Sequence, residues 1–137
     1  MSTVHTDIVT PAGKVFSGDV HMVIVRATSG EMGILPHHMP IVAPLDIAMV
    51  RLKYDDGEKV DFAAVHGGFI QVSPDHITIL SEAAEMKEQI DIERAQKARS
   101  EAQQALSTLH ESSEGYEEAM LKLKRSELRL KTATVDE

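Results

Sequence analysis

The chain has 137 residues, 42% of them hydrophobic, which is enough for one domain with a buried core or a small domain with an appendage. Its 14 basic and 22 acidic residues give a formal net charge of -8, which offers no electrostatic reason to expect nucleic-acid binding. The absence of cysteine excludes disulfides, thiolate metal sites and cysteine nucleophiles. No apolar stretch is long enough to cross a bilayer, so we expect any membrane association to be indirect, through a partner.

The first part of the chain, residues 3–81, has the pattern of short β-strands. Alternating or continuously apolar runs rich in Val and Ile are separated by Gly, Pro and Asp. About nine short strands in this length predict a small β-sandwich or a flattened barrel. The runs are TVHTDIV, KVFS, VHMVIVRA, MGIL, IVAPL, IAMVRLKY, KVDFAAV, FIQV and HITIL. Between two of them, the stretch YDDGEK predicts a tight hairpin, because Asp-Gly tolerates positive φ.

The stretch GEMGILPHHMPIVAPL, residues 30–45, combines two adjacent histidines with three prolines. A metal site is a weak interpretation, because neighbouring residues on an extended chain point to opposite sides. We interpret the glycines and prolines as control of a bent backbone path, and we expect a positive φ at Gly33. His37 and His38 are then solvated or interface residues.

A second glycine-rich stretch, GGF at residues 67–69, resembles a phosphate-binding turn. No predicted helix follows it to supply amide donors, so we favour a close backbone approach or a bulge that leads into a strand. No nucleophile elbow, P-loop or dinucleotide fingerprint is present either, so the sequence offers no constellation for an enzyme.

From Glu82 onward the composition changes to Ala, Glu, Lys, Arg, Gln and Leu, which favour helices. Asp91 is the predicted N-cap of a first helix that carries a narrow stripe of alanines, and residues 110–115 interrupt it. A second helix is predicted from Tyr116 to about Ala133. Two helices joined by a short turn predict an antiparallel hairpin, which needs a surface to pack on.

The helices carry arginines that such a hairpin brings together. Arg125 and Arg129 lie four residues apart on one helix face, and an antiparallel pairing places Arg94 near Arg129. With Asp91 nearby, these guanidiniums are suited to bind a nucleotide, the arginines taking the phosphates and the carboxylate an exocyclic amine. The alternative is a solvent-exposed, salt-bridged face, for which Glu85 and its acidic neighbours supply partners.

Several stretches together resemble the epsilon subunit family of bacterial F-type ATP synthases. They are VTPAGKVFSGDV, SGEMGILPHHMPIVAPL, GGFIQV followed by ITIL, and IDIERA at the start of the helices, and they cover nearly the whole chain. The resemblance implies an α+β fold in which a ten-stranded β-sandwich, residues 1–84, precedes a regulatory antiparallel two-helix hairpin, residues 85–137. It implies a non-catalytic rotor subunit beside the gamma subunit and the c-ring, peripheral to the cytoplasmic face of the bacterial cell membrane.

The resemblance also assigns roles to particular residues. It implies that the segment carrying Glu31, Gly33, His37 and His38 meets the c-ring and the gamma subunit. It further implies that the hairpin is either folded on the sandwich or extended into the catalytic head, where it contacts the alpha and beta subunits and hinders ATP hydrolysis.

Several family members bind ATP as a regulatory ligand through an Ile/Leu-Asp-x-x-Arg-Ala motif. The matching residues here are Ile90, Asp91, Arg94 and Ala95, together with Glu85, Arg125 and Arg129. The resemblance therefore implies regulatory ATP, with or without Mg²⁺, and no catalytic cofactor. Glu101 departs from the pattern, since ATP-binding members can carry an arginine there.

From the residues alone, a free-standing β-sandwich binding module with a dimerising helical tail remains the alternative.

Overall fold

The computed structural model describes residues 2–54 and 59–135 of the chain. Eight strands come first and two α-helices follow. The strands are β1 (Val4–Thr10), β2 (Gly13–Val20), β3 (Met22–Ala27), β4 (Gly30–Ile34), β5 (Ile41–Lys53), β6 (Val60–Ser73), β7 (His76–Leu80) and β8 (Ala84–Met86). A short 3-10 turn, Lys87–Gln89, leads into α1 (Ile92–Thr108) and α2 (Tyr116–Thr134).

The strands form a β-sandwich in which β5 and β6 belong to both layers. The hydrogen-bonded order is β2-β1-β7-β6-β5-β3-β4, and β8 pairs with β6. The first part of β5 pairs with the last part of β6 beside β7, while the last part of β5 pairs with the first part of β6 beside β3 and β8. Apolar residues from both regions pack into a single core; among them are Ile8, Val25, Ile34, Leu52, Ile70 and Ile79.

The predicted counts of nine or ten strands are wrong for the described residues, which contain eight. The predicted strands IVAPL and IAMVRLKY are both parts of β5, of 13 residues, and KVDFAAV and FIQV are both parts of β6, of 14 residues. Cross-strand pairing continues through Pro44↔Phe69 and Leu45↔Gly68, so the proline and the glycine do not end these strands. The run VHMVIVRA is in turn divided at His21.

The hairpin predicted at YDDGEK joins β5 to β6, whose last described register pair is Lys53↔Val60. The Asp-Gly turn itself lies outside the described residues. At the C-terminal end of the strand region, β8 extends the sheet to Met86, two residues past the predicted domain boundary, because this short strand pairs with Ala63 to Val65 of β6.

The two helices begin and end close to the predicted residues. Asp91 is the N-cap of α1, as predicted, and its carboxylate accepts a hydrogen bond from the Arg94 backbone N–H at 3.1 Å. Gly115, with φ of 88°, starts α2 in a left-handed conformation that suits glycine. Within the described residues, neither helix is long and apolar enough to cross a membrane.

The second helix packs on the outer side of β5 and β6, away from the main core. Leu128 of α2 is buried against Ala64 of β6 and Ile90, and Ile47 and Met49 of β5 pack around them. A second, smaller core therefore joins the helices to the sandwich. Near the end of α2, the Lys87 ammonium donates a hydrogen bond to the Val135 carbonyl at 2.6 Å.

Candidate functional site

A cleft of about 770 Å³ lies between the two helices beside the edge of the sandwich. It is lined by six of the seven residues assigned to a nucleotide site: Glu85, Asp91, Arg94, Ala95, Arg125 and Arg129. These residues come from β8, from the start of α1 and from the second half of α2. The packing of α1 against α2 therefore brings side chains from the start of α1 together with side chains of α2 that are at least 30 residues away in the sequence.

The seventh residue, Ile90, has a different position. Its side chain is buried against Ala64 and Leu128 in the small core, and it does not line the cleft. Ile90 thus anchors the start of α1 to the sandwich. Asp91 follows Ile90 directly and Arg94 lies four residues after it, so the anchored start of α1 carries both residues at the cleft.

The cleft is rich in charges of both signs. Arg129 Nε donates to Glu85 Oε1 at 2.6 Å, and Lys122 Nζ donates to Glu101 Oε1 at 3.0 Å. The hydrogen bond from Lys122 lowers the pKa of Glu101. Arg125 Nε is buried and has no hydrogen-bond partner among the described residues. The salt bridges expected in the alternative interpretation are thus present for Arg129 and Lys122, whereas Arg125 Nε can still donate a hydrogen bond to a ligand.

The structure adds residues that the sequence interpretation missed, among them Lys97, Glu118 and Lys122. On α2, positions 118, 122, 125 and 129 follow spacings of four, three and four, which place them on one face of a helix. That spacing was visible in the sequence, but which face meets α1 was not. Five basic and four acidic side chains line the cleft, an excess of one positive charge that suits an anionic ligand.

The four residues assigned to partner contacts lie along and after β4. Glu31, near the start of β4, pairs with Arg51 of β5 at 3.3 Å. Gly33 lies in the same strand opposite Ile24, and the positive φ expected there is wrong. An ordinary strand position needs no left-handed backbone, and a Cβ at Gly33 would meet only the Met22 sulfur at 3.6 Å.

The non-glycine residue with positive φ in this segment is instead His37, with φ of 66°. Its backbone N–H donates to the Pro74 carbonyl at 2.7 Å, which ties the segment to the turn between β6 and β7. The His38 ring lies 2.7 Å from the Met39 carbonyl oxygen, and the Met39 side chain is 77% exposed. Glu31 and the histidines are at opposite ends of β4, so they are parts of one segment and not of one cluster.

An exposed apolar row crosses four strands on the outer face of the sandwich. In register order it contains Val9, Leu80, Phe69 and Pro44, and Val42 extends it along β5. Phe69 is 53% exposed, Leu80 40% and Val42 67%. The sequence interpretation missed this row because each residue belongs to a different strand, and only the register places them side by side. An exposed apolar surface of this kind is typical of protein interfaces.

The sandwich glycines Gly67 and Gly68 both have positive φ, 80° and 108°. A Cβ on Gly68 would overlap the Leu80 carbonyl oxygen, so the close backbone approach predicted for GGF is confirmed. Among residues 2–54 and 59–135, no group of three or more histidines and carboxylates is placed to hold a metal ion.

Comparison with known proteins identifies the family. Residues 3–87 match the family described as ATP synthase, Delta/Epsilon chain, beta-sandwich domain, and residues 88–134 match its long alpha-helix domain. The ATP synthase epsilon chain of Halalkalibacterium halodurans is 48% identical over 97% of this chain and 98% of its own length. The epsilon chain of Bacillus subtilis is 55% identical over 79% and 80%.

A solved structure agrees with these sequence relatives. A chain in the Euglena gracilis mitochondrial ATP synthase, solved as OSCP/F1/c-ring, superposes with a TM-score of 0.78 at 25% identity, over 98% of this chain and 83% of that one. The matches together cover both the sandwich and the helices. This chain therefore belongs to the ATP synthase delta/epsilon family and is similar throughout to bacterial epsilon chains.

Proposed function

We propose that the chain is a rotor subunit whose sandwich docks on the gamma subunit and the c-ring and whose helices form an ATP-sensitive regulatory hairpin. Its family membership makes it a non-catalytic subunit of an F-type ATP synthase. The docking surfaces, the nucleotide and the regulatory movement are the proposed parts. The subunit would then lie at the cytoplasmic face of the bacterial cell membrane and touch it only through the complex.

The helix contacts support an antiparallel hairpin folded on the sandwich. Glu101 in the middle of α1 pairs with Lys122 in α2, while Arg94 at the start of α1 shares the cleft with Arg129 near the end of α2. The helices therefore run in opposite directions along the cleft. Their main contact with the sandwich is the small core around Leu128, which is limited enough for a reversible contact.

The nucleotide proposal rests on the cleft, which brings Arg94 of α1 together with Arg125 and Arg129 of α2, and this convergence requires the two helices to lie side by side. Guanidiniums bind phosphate oxygens in a bidentate manner, and the buried Arg125 Nε still has donor capacity. Asp91 retains one carboxylate oxygen beyond its cap to hydrogen-bond an exocyclic amine. ATP, with or without Mg²⁺, would then stabilise the docked hairpin without being hydrolysed.

Such a ligand becomes a regulator if its affinity for the docked hairpin is higher than its affinity for the extended hairpin. A ligand that binds only the docked hairpin shifts the equilibrium away from the extended form, in which the helices contact the alpha and beta subunits. At about 100 times the dissociation constant, this linkage amounts to roughly 2.7 kcal/mol. Glu101 places a carboxylate in the cleft, although its pairing with Lys122 offsets part of the repulsion towards a phosphate.

Two features support docking of the sandwich on partner subunits. The segment after β4 exposes Leu35 and Met39 and is fixed by the His37–Pro74 hydrogen bond. The apolar row through Phe69 and Leu80 offers a second, broader surface. A fixed exposed segment and an apolar face are suited to hold a subunit on a rotating stalk, because preformed surfaces lose little entropy on binding.

Calorimetric titration of the isolated chain with ATP tests the nucleotide proposal. We expect wild type to bind one ATP, the Arg94→Ala/Arg129→Ala variant to lose binding, and Arg99→Ala to retain it. Arg99 is the matched control because it lies on α1 outside the cleft lining. No heat of binding in wild type at millimolar ATP, or equal binding by the double variant, would contradict the proposal.

Association with the gamma subunit tests the docking proposal. We expect residues 1–87, which hold every described strand, to fold and to co-purify with gamma and the c-ring. A Phe69→Asp change should weaken this association while leaving the fold intact, since Phe69 points to solvent. Self-association of the full chain without gamma binding would instead favour the free-standing binding module.

A further inference from the structure

A buried histidine lies between the sandwich and α2. His66 of β6 is only 4% exposed, and neither ring nitrogen has a hydrogen-bond partner among the described residues. Its backbone is fixed by a hydrogen bond to the Ala83 carbonyl at 3.0 Å and by pairing with Ile47 of β5. Ala64, two residues earlier and therefore on the same face of the strand, packs against Leu128 of α2.

The charged groups around His66 favour a neutral ring. Arg125 and Arg129 of α2 are the cations that act on it, and Glu85 of β8, the nearby carboxylate, already pairs with Arg129. On β5, Asp46 precedes Ile47 and lines a groove on the other side of α2. Burial, followed by Arg129 and Arg125, lowers the pKa of His66 to about 4. The docked helix therefore places two cations beside a buried titratable group, where the charged form of the ring is unfavourable.

We propose that His66 is a proton-sensitive latch: the neutral imidazole permits α2 to dock on the sandwich, and its protonation releases the helix. The latch depends on the proposed function in one respect only, which is that α2 can leave the sandwich. Undocking removes both arginines and the apolar cover, so the ring can accept a proton in solvent at its ordinary pKa. Protons and a ligand of the cleft then act on the same equilibrium in opposite directions.

The direction of the pH dependence follows from the lowered pKa. Because docked His66 binds a proton more weakly than undocked His66, docking is at full strength above the ordinary pKa of 6.5. The contribution of His66 to docking decreases as pH falls from about 6.5 to about 4 and is constant below that range. The docking equilibrium constant falls by up to about tenfold per pH unit in this window, and by less to the extent that solvent reaches the ring.

Fluorescence quenching in the isolated, nucleotide-free chain measures docking directly. The sequence has neither tryptophan nor cysteine, so Lys87→Trp and a bimane label on Val135→Cys form a specific contact pair. Lys87 and Val135 touch in the docked structure and lie outside the cleft lining. We expect strong quenching at pH 7.5 that is lost progressively towards pH 4.5.

Three variants in this labelled background identify the group that titrates. His66→Gln should keep the quenching across the pH range, whereas His110→Gln, a control in the turn between the helices, should lose it as wild type does. Glu85→Gln should also retain the pH response, because His66 remains. A pH response unchanged by His66→Gln would overturn the proposal.

NMR titration of the wild-type histidine rings provides a test that needs no change at His66. At pH values where quenching shows α2 docked, we expect the His66 ring to remain neutral well below pH 6.5. A normal pKa in the docked chain would overturn the latch. Because no nucleotide or partner subunit is present, this result is independent of whether ATP binds the cleft.

Discussion

Replacing Gly68 by alanine should destabilise the sandwich far more than the same change at its neighbour Gly67. Both residues have positive φ, which costs an alanine about 1–2 kcal/mol. At Gly67 the nearest atom to an added Cβ is the Leu45 carbonyl oxygen at 3.7 Å, an ordinary contact. At Gly68 the Cβ would overlap the Leu80 carbonyl oxygen and lie 2.9 Å from the Ser81 Cα.

The difference between these two variants isolates the close approach from the backbone conformation. Relief of the overlap must move the backbone of Leu80 and Ser81, which disturbs the β6–β7 pairing at Phe69↔Leu80. Each lost hydrogen bond costs about 1 kcal/mol. We expect a loss of about 1 kcal/mol for Gly67→Ala and about 3 kcal/mol or more for Gly68→Ala, a large share of a typical stability of about 5–15 kcal/mol.

Urea denaturation at 25 °C, followed by circular dichroism, measures both losses. Gly30→Ala is a further control, because Gly30 has φ of 134° and nothing within 4 Å of an added Cβ. A more extreme φ without overlap should therefore cost less than Gly68→Ala. Equal losses at Gly67 and Gly68 would refute the reasoning that the contact with Leu80 requires a glycine.

Three further predictions concern the helix contact, the segment after β4 and the outer face of β1. Leu128→Ala should weaken the docking of α2 by about 2–4 kcal/mol and so reduce the quenching of the labelled pair at pH 7.5. Gly33→Val should change stability by less than about 1 kcal/mol in urea denaturation, since Gly33 is in an ordinary strand conformation with only the Met22 sulfur near an added Cβ. The Ser17 hydroxyl, helped by nearby cations, lowers the pKa of buried Asp7, so Asp7 stabilises the fold above its ordinary pKa of 3.8 and this contribution is lost as pH falls. Asp7→Asn should therefore cost about 1–2 kcal/mol at pH 7, and the difference from wild type should shrink below pH 4.

Local signals in the sequence were sufficient for the helices. The composition change at Glu82, the cap at Asp91 and the break at residues 110–115 are each encoded by adjacent residues, so the bounds of α1 and α2 were predictable. The strand count was not, because Pro44 and Gly67-Gly68 resemble strand ends when considered alone. Only the partner strand shows that pairing continues past them.

The residues of the candidate site also divide into those that local sequence signals predict and those that only the tertiary structure brings together. The IDIERA stretch and the arginine spacing are local signals that identify five of the thirteen residues lining the cleft, and ATP binding there stays a prediction. Lys122, Phe69 and His66 escaped notice because their importance depends on what lies across from them. An outward Phe and a buried His give the same alternating pattern in a strand, and only the docking of α2 distinguishes a covered face from an exposed one.

In the proposed function, the docked hairpin is the state that permits ATP hydrolysis and the extended hairpin is the state that hinders it. Cysteines at Lys87 and Val135, joined by a short bismaleimide, lock the end of α2 to the 3-10 turn that directly follows β8, without entering the cleft. The decisive measurement is the ATP hydrolysis rate of the assembled enzyme carrying this locked subunit, compared with each single-cysteine variant treated in the same way. We expect a higher rate in the locked enzyme, and an unchanged or lower rate would show that the docked hairpin does not permit hydrolysis.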